Sequence, residues 1–137
     1  MWNKKAVLIV DDEFIILASL KIQLARILDN DIIIEEASSC NEAKLIIDDL
    51  IINHTEMSLI ISDYNLDDCK GTDLLYYCND KFPHSKKIIL SGQSDIDAIL
   101  EFKEKYGLHA IFSKPWIFND FKNSIYEIPD LVRNRKD

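Results

Sequence analysis

Side chains that can do chemistry stand just after short apolar runs at four points of the sequence. They are the carboxylates Asp11, Asp12 and Asp63, the hydroxyl of Ser91 and the ammonium of Lys114. Three carboxylates brought together repel one another, and a hard divalent cation such as Mg²⁺ relieves that repulsion through oxygen ligands. A lysine adds positive charge against a phosphoryl group, and a serine hydroxyl can donate to a phosphoryl oxygen. The set suits phosphoryl transfer to a carboxylate nucleophile.

The segments that must position these residues follow two alternating patterns. Short β-branched runs, such as residues 6–10, are typical of strands buried on both faces of a parallel sheet. Between them apolar residues recur at helical spacing, as Leu17, Leu20 and Leu24 do. The alternation predicts five helices and five strands, with the strands at residues 6–10, 32–34, 59–61, 87–90 and 109–112. We expect Asn41 to cap the start of the second helix and Gly107 to cap the end of the fourth.

This alternation predicts an α/β fold, a doubly wound parallel sheet with helices on both faces. In such sheets ligands bind outside the carboxyl ends of the strands, which is where the polar residues fall. An Asp or Ser at a strand end often only caps the next helix, and we interpret Glu13 in that structural way. The complete set at four strand ends nevertheless favours a functional site.

Length and charge restrict the protein class. The chain has 137 residues and a formal charge of -8, and we expect one domain over residues 1–137, with its core at about 5–128. Residues 129–137 are expected to be a C-terminal tail or the stub of a linker. The acidic balance argues against direct binding to nucleic acid or to anionic membranes, which requires clustered Lys and Arg.

Cysteine use and hydropathy indicate a cytoplasmic location. The three cysteines, Cys40, Cys69 and Cys78, form no Cys-x-x-Cys pair, and we expect them to be reduced, with a passive Cys69. The N-terminus lacks the long uncharged core of a signal peptide, and no apolar run approaches the roughly 18 to 20 residues of a membrane span. The three histidines are scattered and predict no metal site: His54, His84 and His109.

Four motifs, in order, resemble the receiver domain of two-component response regulators. They are Val10-Asp11-Asp12-Glu13, Ser62-Asp63-Tyr64-Asn65-Leu66 with Gly71 further on, Leu90-Ser91-Gly92 and Ser113-Lys114-Pro115. The resemblance covers essentially the whole chain. It implies a flavodoxin-like fold with strand order 2-1-3-4-5, an order carried over from the family.

The resemblance also implies roles for the site. Asp63 would accept a phosphoryl group from a histidine kinase or a phosphotransfer protein, without the domain being an enzyme that turns over a separate substrate. Asp12 and Asp63 would bind Mg²⁺ directly, Asp11 through water and Asn65 through its backbone carbonyl. Lys114 would contact the phosphoryl group.

Signalling would follow from a movement of Ser91 toward that group. The movement would reshape the face made by the fourth helix, fifth strand and fifth helix, which would contact a downstream effector protein or a missing output domain, or would form a homodimer. The domain would be stand-alone or part of a longer regulator.

The chain departs from the family pattern near the site. Asp67, followed by Asp68, stands where the family often has proline, which adds negative charge. Ile111 stands where an aromatic switch residue is usual, with Phe112 next to it. Trp116, after the Lys-Pro step, is expected either to pack at a helix start or to contact a partner.

Three other functions compete with this interpretation. A phosphatase of the haloacid-dehalogenase type also uses Asp, Ser and Lys at strand ends, but its Asp-x-Asp motif would need an aspartate where Glu13 stands. A phosphorylation-independent adaptor would keep the fold as a protein-binding surface. The intact acceptor set argues against it, while Ile111 and Asp67 leave it open. A flavin-binding module is disfavoured because acids occupy the loop where a phosphate cradle would be needed.

Overall fold

The computed structural model describes residues 2–92 and 95–133, and residues 134–137 of the expected tail lie outside that part. The strands are β1 (Lys4–Val10), β2 (Ile33–Ala37), β3 (Thr55–Asp63), β4 (Lys86–Ser91) and β5 (Ala110–Ser113). The helices are α1 (Phe14–Ile27), α2 (Cys40–Ile52), α3 (Gly71–Lys81), α4 (Ile96–Tyr106) and α5 (Phe118–Tyr126). The predicted alternation of five strands and five helices is confirmed.

All neighbouring strands pair in parallel, in the order β2-β1-β3-β4-β5. The fold class is therefore confirmed as a doubly wound, flavodoxin-like α/β fold. Two apolar layers cover the sheet. One layer, around Val7 and Ile9 of β1, contains α1 and α5, while the other, around Leu8, contains α2, α3 and α4. Because alternate side chains of a strand point to opposite faces, one continuous apolar run in β1 serves both layers.

The elements start and end where local chemistry allows. Ser39, and not Asn41 as predicted, caps α2, because its hydroxyl accepts from the backbone N–H of Glu42 at 3.1 Å. The Glu42 carboxylate in turn accepts from the backbone N–H of Ser38 at 2.6 Å. Gly107 ends α4 at a φ of 84°, a left-handed value that favours glycine, so that prediction is confirmed.

The end of the described chain packs against the sheet. Leu131 and Val132, within the segment expected to be a tail, are buried in the apolar layer beside α1 and α5. The guanidinium of Arg133 then pairs with Asp29 and Asp31, which lie between α1 and β2. Within the described residues, no helix is both long and apolar enough to cross a membrane.

Candidate functional site

Strand register brings the predicted residues to one edge of the sheet, the carboxyl edge. Val10 of β1 pairs with Ser62 of β3, so the next residues, Asp11 and Asp63, follow side by side at the ends of these two adjacent strands. Carboxylate oxygens of Asp11, Asp12 and Asp63 all lie within 4.8 Å of one another. The sequence prediction that three distant carboxylates converge is met by this geometry.

Lys114 joins the three acids from the end of β5, which lies at the same edge of the sheet, two strands away from β3. Its Nζ lies 2.7 Å from Oδ2 of Asp11 and 3.2 Å from Oδ1 of Asp63. It also lies 3.8 Å from Oε1 of the exposed Glu13, an acid that the sequence predicts to be structural and that the structure brings near the site. We call Asp11, Asp12, Asp63 and Lys114 the carboxyl-edge cluster. It holds three carboxylates against one ammonium, so a cation is favoured there.

Burial sets the electrostatics of this cluster. Loss of water around Asp63, followed by the charge of Asp11, raises the pKa of Asp63 to about 6. Burial, and then the nearby carboxylate of Asp67, raise the pKa of Asp12. Burial opposes the charge on Lys114, but its contacts with Asp11 and Asp63 outweigh that effect and raise its pKa. The cluster therefore holds more negative charge than one lysine neutralises.

The donor set fits a hard divalent cation. Asp11 is fully buried, and its Oδ1 accepts the backbone N–H of Glu13 at 2.8 Å. Its Oδ2 lies 2.7 Å from Lys114 Nζ, and within the described residues it has no second hydrogen-bond donor. An oxygen of this kind keeps lone pairs available, and Mg²⁺ takes such carboxylate oxygens together with water.

Ser91 and Asn65 lie beside the cluster with their side chains turned to other partners. The buried Ser91 donates its hydroxyl to the carbonyl of Gly92, and its own carbonyl accepts from the backbone N–H of Lys114 at 3.1 Å. The amide of Asn65 donates to Asp95 at 2.7 Å and accepts from Lys70 Nζ at 2.8 Å. The backbone carbonyl of Asn65 thus remains the predicted metal ligand, since its side chain is occupied.

Gly71 allows α3 to begin against the end of β3. A Cβ at this position would lie 2.3 Å from the carbonyl oxygen of Asp63 and 2.9 Å from the Cα of Tyr64. The N–H of Gly71 donates to the carbonyl of Tyr64 at 2.5 Å. Only glycine fits so close to the backbone of Asp63, which explains why the loop closes here.

Comparison with known proteins identifies the family. The chain matches the response regulator receiver domain over residues 7–126, which is most of its length. The chain belongs to the family of response regulator receiver domains.

Similar proteins agree with this assignment. A response regulator receiver domain protein from Methanospirillum hungatei has 29% identity and a TM-score of 0.77, over 93% of this chain and 95% of the other. A second receiver domain structure, from Clostridium thermocellum, has 29% identity and a TM-score of 0.75, over 92% and 94% of the two chains. The hydrogenase transcriptional regulatory protein HoxA of Cupriavidus necator is 27% identical over 118 residues, which are 85% of this chain but only 23% of HoxA. This receiver domain therefore spans less than a quarter of that relative.

The expectation that the cysteines are reduced is wrong for two of them. Cys40, the first residue of α2, forms a disulfide with Cys69 in the acceptor loop, which we define as residues 64–70. Cys78 keeps a free, buried thiol. Sequence spacing gave no signal for the pair because the two residues are 29 positions apart and meet only when α2 packs beside the acceptor loop.

Two of the positions where this receiver domain departs from the family pattern, Ile111 and Trp116, are packed, whereas Asp67 and Asp68 are exposed. Ile111 is half-buried against the layer of α2, α3 and α4, and the Phe112 ring meets Phe121 edge to face with 5.8 Å between centroids. Trp116, which follows the cis bond between Lys114 and Pro115, donates its Nε1–H to Oε1 of Gln23 at 2.9 Å. Its ring lies 6.0 Å from that of Phe121, so of the two alternatives for Trp116, packing is the one observed.

Proposed function

We propose that Asp63 accepts a phosphoryl group from a phosphohistidine in a Mg²⁺-dependent reaction, and that the domain signals through the resulting conformational change. The observation that supports this most directly is the contact of one ammonium, Lys114 Nζ, with Asp11 and Asp63 inside a cluster with excess negative charge. A phosphorylated histidine kinase or phosphotransfer protein would be the donor. The domain would thus be a signalling phosphoacceptor.

The transfer itself needs an ionised nucleophile. Asp63, with a pKa raised to about 6, is mostly ionised at neutral pH. One of its carboxylate oxygens attacks the phosphorus, the bond from phosphorus to the imidazole nitrogen breaks, and an aspartyl phosphate remains. Lys114 stabilises the negative charge on the phosphoryl oxygens from its position 3.2 Å from Asp63. The hydroxyl of Ser91 would leave the carbonyl of Gly92 and donate to the new group.

Four residues would hold the metal. Asp12 and Asp63 would bind it directly, Asp11 through water and Asn65 through its backbone carbonyl. When bound, Mg²⁺ supplies positive charge that neutralises the carboxylates and the phosphoryl oxygens during transfer. The buried Oδ2 of Asp11 contacts Lys114 and keeps further lone-pair capacity, which supports a contribution of Asp11 to the metal site.

The remaining assignments concern the context of the domain. We infer a single domain over residues 1–137 that works in the cytoplasm and does not itself bind nucleic acid. Its output would pass to an effector protein or an output domain. The share of HoxA that this chain leaves unmatched supports an output region of that kind, as does the name of that relative as a transcriptional regulator. The face of α4, β5 and α5 would carry the contact, or form a homodimer.

Labelling with a small phosphodonor tests the proposal. The protein is incubated with acetyl phosphate, with and without Mg²⁺, and its intact mass is measured. We expect the mass of one phosphoryl group to be added only with Mg²⁺, and Asp63→Asn to abolish the gain. Asp80→Asn is the matched control, because that carboxylate is exposed near the end of α3, at the opposite edge of the sheet.

Two outcomes would contradict the proposal. Wild-type labelling of Asp63→Asn would remove Asp63 as the acceptor. Steady release of phosphate from phosphomonoesters, lost in Asp11→Asn, would instead favour a phosphatase with its nucleophile after β1.

A further inference from the structure

We propose that Cys40 and Cys69 are a reversible dithiol–disulfide couple that controls how tightly the acceptor loop holds the metal site. The couple would be a redox modification site within this receiver domain. This inference rests on the proposed function of Asp63 and its metal site.

The two cysteines join separate elements next to the chemistry. Cys40 begins α2, and Cys69 lies in the acceptor loop that links Asp63 to α3. Their Cα atoms are 6.0 Å apart, within the range that a disulfide spans without backbone movement. Formation or loss of the bond therefore changes one covalent constraint on the loop without requiring the fold to open.

A second, non-covalent contact holds the same two elements. The carboxylate of Asp68 accepts the backbone N–H of Cys40 at 2.9 Å and that of Asn41 at 3.0 Å. These bonds lower the pKa of Asp68, as expected for a carboxylate at the start of a helix. Because Asp68 keeps the loop near α2 after reduction, the reduced thiols stay close enough to pair again.

Backbone contacts within the acceptor loop connect Cys69 to the metal site. The backbone N–H of Leu66 donates to the carbonyl of Cys69 at 3.2 Å, and Asn65 pairs with Lys70 in a short antiparallel bridge. Asn65 is the residue whose backbone carbonyl is predicted to bind Mg²⁺. Fixing Cys69 therefore limits the movement of that carbonyl, and we expect the oxidised form to bind Mg²⁺ more tightly.

Burial indicates which sulfur reacts first. Cys69 is half-buried, whereas Cys40 is 1% exposed. In oxidation by a peroxide, the Cys69 thiolate attacks one oxygen and becomes a sulfenic acid as water leaves. The Cys40 thiol then displaces a second water to form the disulfide, so two thiols lose two electrons to one peroxide.

Reduction follows the reverse course with a dithiol reductant. One reductant thiolate attacks the sulfur of Cys69, and Cys40 leaves as a thiolate at the start of α2, then takes a proton. The second reductant thiol releases Cys69, and the reductant becomes the disulfide. In a reducing compartment such as the proposed cytoplasm, disulfides are usually transient and redox-sensing, which fits a couple more than a permanent link.

Cys78 provides a matched control. It is buried in α3, where burial raises the pKa of its thiol to about 11, so it is unreactive near neutral pH. A Cys78→Ala background therefore removes mispairing without touching the couple. Cys69→Ser in the same background fixes the reduced state.

The experiment measures Mg²⁺ binding in both redox states. The Cys78→Ala protein is oxidised with hydrogen peroxide or reduced with dithiothreitol, and its Mg²⁺ affinity is measured by titration calorimetry. We expect the oxidised form to bind at least about fivefold more tightly. The disulfide equilibrium in glutathione buffers should then shift by the same factor when Mg²⁺ is added, because coupling between two sites is reciprocal. Cys69→Ser should behave as the reduced form under every condition.

Several results would overturn the inference. They are equal Mg²⁺ affinity in both states, no disulfide by intact mass after oxidation, or a reduced protein that retains stoichiometric zinc on Cys40, Asp68 and Cys69. Failure of the proposed function would look different, because Asp63 would then stay unlabelled by acetyl phosphate in both redox states while the coupling between Mg²⁺ and the disulfide remained. Since the main comparison uses one folded protein in two states, it holds even if Cys69→Ser folds poorly.

Discussion

The two ends of the sheet each carry aspartates around one cation, but the two clusters differ in burial and in balance. In the carboxyl-edge cluster the Asp11 side chain is 0% exposed and Lys114 faces three acids. At the amino edge, where the strands begin, Arg133 pairs with Asp29 and Asp31 through side chains that are largely exposed at Arg133 and Asp31. We call Asp29, Asp31 and Arg133 the amino-edge cluster.

The contrast appears directly in the ionisation of the acids. The Arg133 guanidinium forks onto both oxygens of Asp31, at 2.8 and 2.7 Å, and its hydrogen bonds lower the pKa of that carboxyl. At the carboxyl edge, burial and Asp11 instead raise the pKa of Asp63 to about 6. A cluster that satisfies its charges stabilises a fold, whereas one that leaves charge unsatisfied is ready to bind a cation or a phosphoryl group.

Removing the positively charged side chain from each cluster should give the largest difference, which is in the rate of phosphoryl labelling. Lys114→Met takes the ammonium from the phosphoryl oxygens, so we expect the initial rate of labelling by acetyl phosphate to fall at least about a hundredfold at saturating Mg²⁺. Arg133→Met should label at the wild-type rate, because Arg133 lies at the opposite edge. Equal rates for both variants would remove the functional distinction between the clusters.

Neutralising an acid at the carboxyl edge should stabilise the metal-free protein. The pKa of Asp63 is higher in the folded protein than the ordinary value of 3.8, so the folded state binds more protons between these values and loses stability as pH rises toward about 6. We therefore expect Asp63→Asn to be more stable by about 2 kcal/mol near pH 7. The advantage should shrink as pH falls through about 6 and vanish below about 4.

Urea denaturation in the presence of a chelator, at several pH values, measures this effect. Saturating Mg²⁺ should reverse the order, since it stabilises the wild type through Asp63 and does not stabilise Asp63→Asn to the same extent. If Asp63→Asn were less stable than the wild type at neutral pH without metal, the negative charge of the carboxyl-edge cluster would already be compensated within the protein.

Neutralising an aspartate at the amino edge should lower the free energy of unfolding, opposite to Asp63→Asn, and this is the smallest of the expected effects. Arg133 lowers the pKa of Asp31, so the pair contributes stability above the ordinary value of 3.8 and loses it as pH falls through the lower, folded value. Asp31→Asn should slightly lower the urea midpoint near neutral pH. High salt should remove most of that difference, because exposed pairs are screened. A higher urea midpoint for Asp31→Asn would contradict the view that the amino-edge cluster stabilises the fold.

Sequence predicted the fold well because the signals for it are local. Apolar runs and helical spacing depend on neighbouring residues, so all five strands and five helices were identified, although β3 extends over Thr55–Asp63, well beyond the predicted residues 59–61. The convergence of Asp11, Asp12 and Asp63 was also predictable, since parallel strands bring their carboxyl ends to one edge.

The features missed by sequence depend on tertiary contacts. The pairing of Cys40 with Cys69 needs the acceptor loop to pack on α2. The contact of Glu13 with Lys114 needs the ends of β1 and β5 at the same edge of the sheet, although β3 and β4 lie between these strands. The sequence predicts Asn41 as the α2 cap, whereas the structure has Ser39 there; both residue types favour a cap position, and only the backbone geometry distinguishes them.

The two tryptophans give each edge of the sheet its own optical label. Trp116 follows Lys114 closely and is fixed by Gln23 and Phe121, whereas Trp2, at the amino edge, stacks on Phe82 and is 44% exposed. The emission of the Trp116 indole therefore comes from a ring that lies two residues along the chain from Lys114 of the carboxyl-edge cluster. In a Trp2→Phe variant the tryptophan emission comes from Trp116 alone, near the carboxyl edge. In a Trp116→Phe variant it comes from Trp2 alone, at the amino edge.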